Sequence, residues 1–441
     1  MNIGLWGLEK TGADHLAFGG SDLVELAETY GTPLHVADEG RLRSNYRAFL
    51  GAFEHHYPNT KVFCSYKTNS VPAVINVLHD EGAGAEVVSP YEFWLARRCG
   101  VAPADIVYNG VNKSTDNLSS AIECGTGTIN IDSVGEIDRL ADIGITAGSA
   151  TKFGLRIDPN VGWKAQFGVQ PRQDVLAHLR QRWDRGALSR LRGIHAHNGS
   201  GVADPGHYRK TLEVLCATAG RMKTELGTEI DFIDIGGGFG RPTVRPLRLR
   251  EVAAYRLLGI TPRAPDATNF PSIDTYARTV ADTLIPACGK YDLGEPTLYL
   301  EPGRALTSDA QILLLRVGDI KSGRGGKTFV VTDGGMQNIA FPLSYEYHAC
   351  LLVNRASAAA DRRYHVVGPL CSPEDILYRN WPLPELQPGD LLAVMDAGAY
   401  FTAWANNFSY PRPAVAMVSE GRHSLVRARE SFEHLVALDR I

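Results

Sequence analysis

Residues 61–100 read KVFCSYKTNSVPAVINVLHDEGAGAEVVSPYEFWLARRCG. Lys61–Tyr66 is apolar and strand-like, and Val71–His79 then sets Val74, Val77 and Leu78 at helical spacing. Gly84–Ser89 reads as a second strand. Pro90–Cys99 follows as a helix, with proline at its start, where a missing N–H costs nothing. The alternation continues outward. Asp105–Asn109 is a third strand, followed by the helix Asn117–Cys124, which Gly125 closes. Thr128–Asp132 is a fourth strand, with the helix Val134–Ile143 after it, and Lys152–Asp158 is a fifth. Arg192–His197 is the sixth, before a long helix through Leu212, Leu215 and Met222. Glu229–Ile235 is the seventh, with a helix near Ser272–Cys288, and Thr297–Glu301 is the eighth. Strands and helices in this rhythm specify a parallel sheet closed into a (β/α)8 TIM barrel, an α/β fold. An open doubly wound sheet competes, but rarely carries eight strands in one unbroken series.

The expected barrel spans residues 36–310, with a joining segment at 1–35. From Gln311 the pattern changes. Runs such as Thr328–Thr332 and Asp390–Met395 alternate with Gly, Pro and Asp turns, and helical periodicity is scarce. Residues 311–441 are therefore expected to form a mostly β domain. Lys321–Lys327 reads as a flexible turn and Gly259–Pro271 as an exposed loop.

Composition removes several classes of function. A net charge of −4 leaves no basic footprint for nucleic acid or an anionic membrane. No apolar run reaches membrane-spanning length, and Met1–Lys10 lacks the basic and apolar regions of an export signal. Seven cysteines, scattered and without Cys-x-x-Cys spacing, point to reduced thiols and a cytoplasmic location.

Active sites of such barrels lie at the C-terminal ends of the strands. Strand one leads to Lys67, strand two carries Glu86, and strand six gives His195-Ala196-His197-Asn198-Gly199-Ser200. Strand seven gives Asp234-Ile235-Gly236-Gly237-Gly238-Phe239-Gly240, and strand eight gives Glu301-Pro302-Gly303-Arg304. A lysine shielded from water is expected to favour its neutral form, which can form a Schiff base with an aldehyde. Taken alone, Lys67 reads more readily as a stem snorkelling to solvent, and the rest of the chain reverses that. The glycine run could be a plain turn, but it also presents successive N–H groups that suit a phosphate. A dinucleotide fingerprint is a poor match, because Arg241-Pro242 follows instead of a helix. His195 and His197 share one face of a strand and could bind metal, but no convincing further ligands accompany them. No metal is expected. Together the parts suit pyridoxal phosphate: a lysine for the aldehyde, donors for the phosphate, and a carboxylate for the ring nitrogen.

The chain resembles the fold-III pyridoxal-phosphate decarboxylases, which include diaminopimelate and ornithine decarboxylases. The resemblance runs from Tyr30-Gly31-Thr32-Pro33-Leu34 to the C-terminus. It rests on Tyr66-Lys67-Thr68-Asn69, Asn109-Gly110-Val111-Asn112-Lys113-Ser114, His197-Asn198-Gly199-Ser200 and Gly236-Gly237-Gly238-Phe239-Gly240. It also rests on Glu301-Pro302-Gly303-Arg304, Gly368-Pro369-Leu370-Cys371 and Asp396-Ala397-Gly398-Ala399-Tyr400. The resemblance implies that Lys67 carries the cofactor and that His197 stacks on its ring. It implies that Ser200, Gly236, Gly237, Gly238 and Tyr400 hold the phosphate. Glu301 would pair with the ring nitrogen, and Arg304 would lie by the phosphate and the substrate carboxylate. Cys371 would come from the partner subunit of a homodimer and return a proton after carbon dioxide leaves.

The chain also departs from the family. Glu86 stands where an aspartate is usual. Diaminopimelate decarboxylases place an arginine four residues before a tyrosine to grip the distal carboxylate, and this chain keeps Tyr345 but has Phe341 in the arginine's place. They place a glutamate after the cysteine to bind the distal ammonium, where this chain has Ser372 in Cys371-Ser372-Pro373-Glu374-Asp375. Each lost charge-assisted hydrogen bond is worth about 1.5–3 kcal/mol. The expected substrate-binding set is Arg304, Phe341, Tyr345, Ser372, Glu374 and Asp375. The expectation is decarboxylation of an amino acid or an amino-acid conjugate, carrier-bound or otherwise modified, in secondary metabolism of the siderophore or antibiotic type. Diaminopimelate decarboxylase with an altered distal pocket is the alternative. A related racemase fits less well, and a metal-dependent barrel hydrolase using His195 and His197 is the reading from another class.

Overall fold

The computed structural model describes residues 2–162, 165–170, 174–197 and 199–440, with the backbone alone for 340–344. Eight parallel strands close into a barrel. They are β1 (Thr60–Ser65), β2 (Gly84–Val87), β3 (Ile106–Tyr108), β4 (Thr128–Ile131), β5 (Lys152–Arg156), β6 (Leu191–His195), β7 (Phe232–Asp234) and β8 (Thr297–Leu300). β8 pairs with β1 through Leu298 and Thr60, which closes the ring. The expected α/β barrel with a mostly β C-terminal domain is the observed fold.

Local chemistry explains why the elements start where they do. Ser89, Ser114 and Ser133 each accept a hydrogen bond from a first-turn backbone N–H of the helix they precede. Inside the barrel, Phe232 stacks on Tyr299, and Tyr299 packs against Phe63. A Cβ at Gly193 would lie 2.4 Å from the Phe232 ring, so glycine on β6 makes the room that this ring fills.

A nine-stranded sheet forms the second layer. Its central strand Gln311–Ser322 runs antiparallel to Leu34–Asp38, which runs parallel to Ala414–Ser419. The strand Leu34–Asp38 thus belongs to the β domain although it precedes the barrel, and a boundary at residue 36 would cut it. Its residues Leu34 and Val36 are fully buried in the apolar core of that domain.

Several helices have no counterpart in the sequence reading, Glu39–His56 and two others among them. Met336–Tyr345 interrupts the β domain, and Leu249–Leu258 follows β7. The first breaks helical geometry at Ile339, and the second buries Tyr255 but no apolar stripe, so neither shows a helical period. Among the described residues no helix is long and apolar enough to cross a membrane.

Candidate active site

The C-terminal ends of the barrel strands open into a cleft of about 590 Å³. Lys67 follows β1 in a turn, and its Nζ donates to Glu86 at 3.1 Å and 3.3 Å. Burial alone would lower the amine's pKa, but Glu86, Glu301 and Tyr400 together raise it above its ordinary value. Lys67 is therefore ammonium in this state, which corrects the expectation of a neutral amine. The cause lies on neighbouring strands: Glu86 on β2 and Glu301 after β8.

A buried amide network fixes these carboxylates. Asn109 Nδ2 donates to Glu86 at 3.0 Å and to Glu301 at 2.6 Å. Asn130 Nδ2 donates to the Asn109 carbonyl at 2.9 Å and to Asp234 at 3.3 Å. Asp234 Oδ1 accepts from the Gly236 N–H at 2.9 Å. Burial and the neighbouring Glu301 push the Asp234 carboxyl well up. Burial also opposes ionisation of Glu301, yet His195, Lys67 and His197 hold it below the usual carboxylate range. The pair thus resolves into one ionised carboxylate, Glu301, and one that takes protons readily, Asp234.

Burial works against a charge on either histidine. Burial holds His195 low, and burial with the Lys67 charge holds His197 well below its ordinary value. His197 Nδ1 accepts from the Gly237 N–H at 3.1 Å, so its remaining proton sits on Nε2. His195 Nε2 lies 3.6 Å from Glu301. His195, Asp234 and Glu301 are close enough to one another to hold an ion, and all three are buried. His197 is not part of that cluster, so the proposed hydrolase pair does not form one.

The glycine run after β7 is a cradle. Gly236 and Gly238 take φ of 64° and 87°. A Cβ at Gly237 would sit 2.2 Å from the Glu301 carbonyl, and one at Gly238 would sit 2.3 Å from the Gly199 carbonyl. Arg304 closes the cradle from the other side. Its guanidinium donates to Ser200 Oγ at 3.2 Å and to Glu346 at 2.6 Å. Its Nη1 is buried and has no partner among the described residues. Tyr400, in the left-handed region at φ 72°, has its ring centroid 5.4 Å from that guanidinium. Glycine N–H groups, a hydroxyl and an orphaned guanidinium nitrogen form a donor set that fits a phosphate, and Lys67 and Glu301 fit the aldehyde and nitrogen of pyridoxal phosphate.

The structure gathers Lys67, Glu86, His195, His197, Ser200, Glu301, Arg304, Tyr345 and Tyr400 around one cleft. Cys371 is exposed and does not line it. Ser372 and Glu374 do not line it either, and the Glu374 N–H donates to Ser372 Oγ. Asp375 corrects its assignment to the substrate. Its buried carboxylate accepts the N–H groups of Met336 and Leu370, each at 2.7 Å, and so anchors the cysteine loop. The Phe341 side chain lies outside the described residues. Sequence reasoning missed Asn109, Asn130, Arg156 and Glu346 as site residues, and gave Asp234 no role. Asn109 follows β3 and Arg156 ends β5, so extending the strand-end reading to every strand would have found both.

Residues 41–308 match the model of the pyridoxal-dependent decarboxylases, over their pyridoxal binding domain. The chain belongs to this family, and it is a pyridoxal-phosphate-dependent carboxy-lyase. Diaminopimelate decarboxylase of Methanothermobacter thermautotrophicus is 36% identical, over 97% of this chain and 96% of that protein. The Aquifex aeolicus diaminopimelate decarboxylase is 31% identical, over 95% and 94%. The structure of diaminopimelate decarboxylase from M. jannaschii in complex with L-lysine superposes with a TM-score of 0.82 at 28% identity, over 98% of both chains.

Proposed function

We propose that the chain decarboxylates diaminopimelate. The observation that carries this reading is full-length similarity to proteins of that name, at 36% identity, in a chain whose cleft holds Lys67, Glu86 and Glu301 together. It replaces the expectation of a secondary-metabolic conjugate, which no comparison supports. Pyridoxal phosphate, when bound, supplies a ring that accepts the electron pair left by the departing carboxylate. Lys67 holds the cofactor, and Glu86 with Glu301 governs the charge of that amine. Glu301, buried and held ionised, would serve as the counter-ion for a protonated ring nitrogen. The Gly236–Gly238 cradle, Ser200, Tyr400 and the unpaired Arg304 nitrogen receive the phosphate. His197, at the mouth of the cradle, would face the ring.

The proton that replaces the lost carboxylate comes from the partner's Cys371. Cys371 is exposed and away from its own cleft, and the cleft mouth carries the half-exposed Trp404 and Tyr345. A second copy of the chain seated there would cover that apolar rim and deliver the thiol. Phe341 and Ser372 favour one second reading, in which the far end of the substrate is uncharged. Removing a cation and an anion that would otherwise pair with a distal ammonium and carboxylate disfavours burying those charges. A carbon dioxide release screen tests the proposal. Diaminopimelate should be turned over well above lysine, ornithine and glutamate; release only from amidated amino acids would favour the second reading.

A further inference from the structure

A second cleft, of about 330 Å³, lies between the barrel and the β domain, away from the catalytic cleft. Its walls are the end of the helix Leu249–Leu258, the turn at 321–327 and the strands Arg362–Val367 and Ile376–Leu383. Arg256, Lys327, Arg363, Arg379 and His365 line it, and no carboxylate does. Among the described residues, the side chains of Arg256, Lys327 and Arg379 make no ion pair and no hydrogen bond. His365 is held below its ordinary value by burial and by Lys327 and Arg379, which agrees with cations crowded on one spot.

The cleft is built. Asn380 Nδ2 donates to the Gly259 carbonyl at 3.0 Å, and Thr261 Oγ1 donates to the Asn380 carbonyl at 2.9 Å. The Arg379 N–H donates to Tyr255 Oη at 2.8 Å, and Arg363 Nη1 donates to Thr261 at 3.1 Å. These bonds clamp the helix to the sheet and hold the cations beside each other against their repulsion. Gly325 and Gly326, with φ of 70° and 71°, turn the chain at its rim, and a Cβ on either would meet nothing within 4 Å. That rim is open backbone beside Lys327, a setting that suits phosphate oxygens. Leu257 and Leu258 supply an apolar wall although both are highly exposed, at 82% and 73%.

We propose that this cleft binds an organic phosphate carrying two or more negative charges, such as a nucleoside diphosphate, with its phosphates on the cations and its apolar body on Leu257 and Leu258. Clustered guanidinium and ammonium groups with no acidic partner are matched by a multiply charged oxyanion. The leucines give an organic body something to cover that a bare anion would leave wet.

The test is calorimetric titration of the holoenzyme at about 0.15 M salt, where non-specific surface attraction is largely screened. Using the holoenzyme keeps the catalytic phosphate cradle filled. ADP, inorganic pyrophosphate and a short single-stranded oligonucleotide are the probes. Saturable ADP binding is expected, weakened roughly tenfold or more in Lys327→Glu and in Arg379→Glu. Leu257→Ser should weaken ADP but leave pyrophosphate unchanged. Unaltered kcat in these variants would show that they fold. Absence of saturable ADP binding, ADP binding indifferent to both charge reversals, or tighter binding of the oligonucleotide would each overturn the proposal.

Discussion

Lys67 meets its site as a cation whose charge is set by residues far away in sequence. Glu86 at 3.1 Å and the more distant Glu301 outweigh its desolvation. Borohydride reduction of the holoenzyme should fix the cofactor on Lys67, and Lys67→Ala should lose covalent cofactor and turnover together. Peptide mapping that finds the reduced cofactor on another lysine would contradict this. Among the described residues, Arg304 Nη1 is a buried donor of the cradle without a partner. Arg304→Lys replaces a planar fork by a point charge, so cofactor affinity should fall roughly tenfold or more, measured by equilibrium titration. The residues at strand ends were legible in the sequence because the barrel fixes where its strands point. The charge states were not. The protonation of Lys67 and the splitting of Glu301 from Asp234 arise from neighbours on other strands, and no local pattern encodes them.

The cysteine loop is held by a buried carboxylate. Asp375 takes two backbone N–H groups, one from Leu370 beside Cys371 and one from the helix Met336–Tyr345. Asp375→Ala would leave both donors buried without partners, at a cost of about 1–3 kcal/mol each. A lower Tm and a loss of kcat larger than the loss of cofactor binding are expected. The loop also carries the assembly claim. Lys67→Ala and Cys371→Ala, each inactive, should recover part of their activity on mixing, because one site of each mixed dimer then holds both intact residues. No recovery under conditions of demonstrated subunit exchange would count against a shared site. The strands of the barrel were legible as apolar runs between helices, and Pro90 and Gly125 marked helix ends. The helix Leu249–Leu258 was not, because Leu249, Leu257 and Leu258 are all exposed and leave no stripe to read.

At the scale of the whole molecule, the two domains are sewn together by the strand Leu34–Asp38. His35 on this strand is fully buried and accepts a hydrogen bond from Gln311 Nε2 at 3.1 Å. Burial and Arg427 lower its pKa to about 3. In the unfolded chain a histidine takes up its proton near pH 6.5, about three units earlier. The unfolded state therefore binds more protons between these values, and stability falls as pH drops from about 6.5 towards 3. His35→Gln should flatten that fall by up to about 1.4 kcal/mol per pH unit, read from urea unfolding at a series of pH values. The strand's membership of the β sheet was not legible, since an apolar run carries no label for the sheet it joins.

The most direct measurement is kcat/KM for diaminopimelate beside that for its distal amide, on the purified holoenzyme with lysine and carbon dioxide followed together. The account predicts turnover of diaminopimelate near the roughly 10⁴ M⁻¹s⁻¹ or more expected of an enzyme on its own substrate, exceeding that of the amide. Rapid turnover of the amide with little or none of diaminopimelate would contradict it, and would place Phe341 and Ser372 in a pocket for an uncharged end.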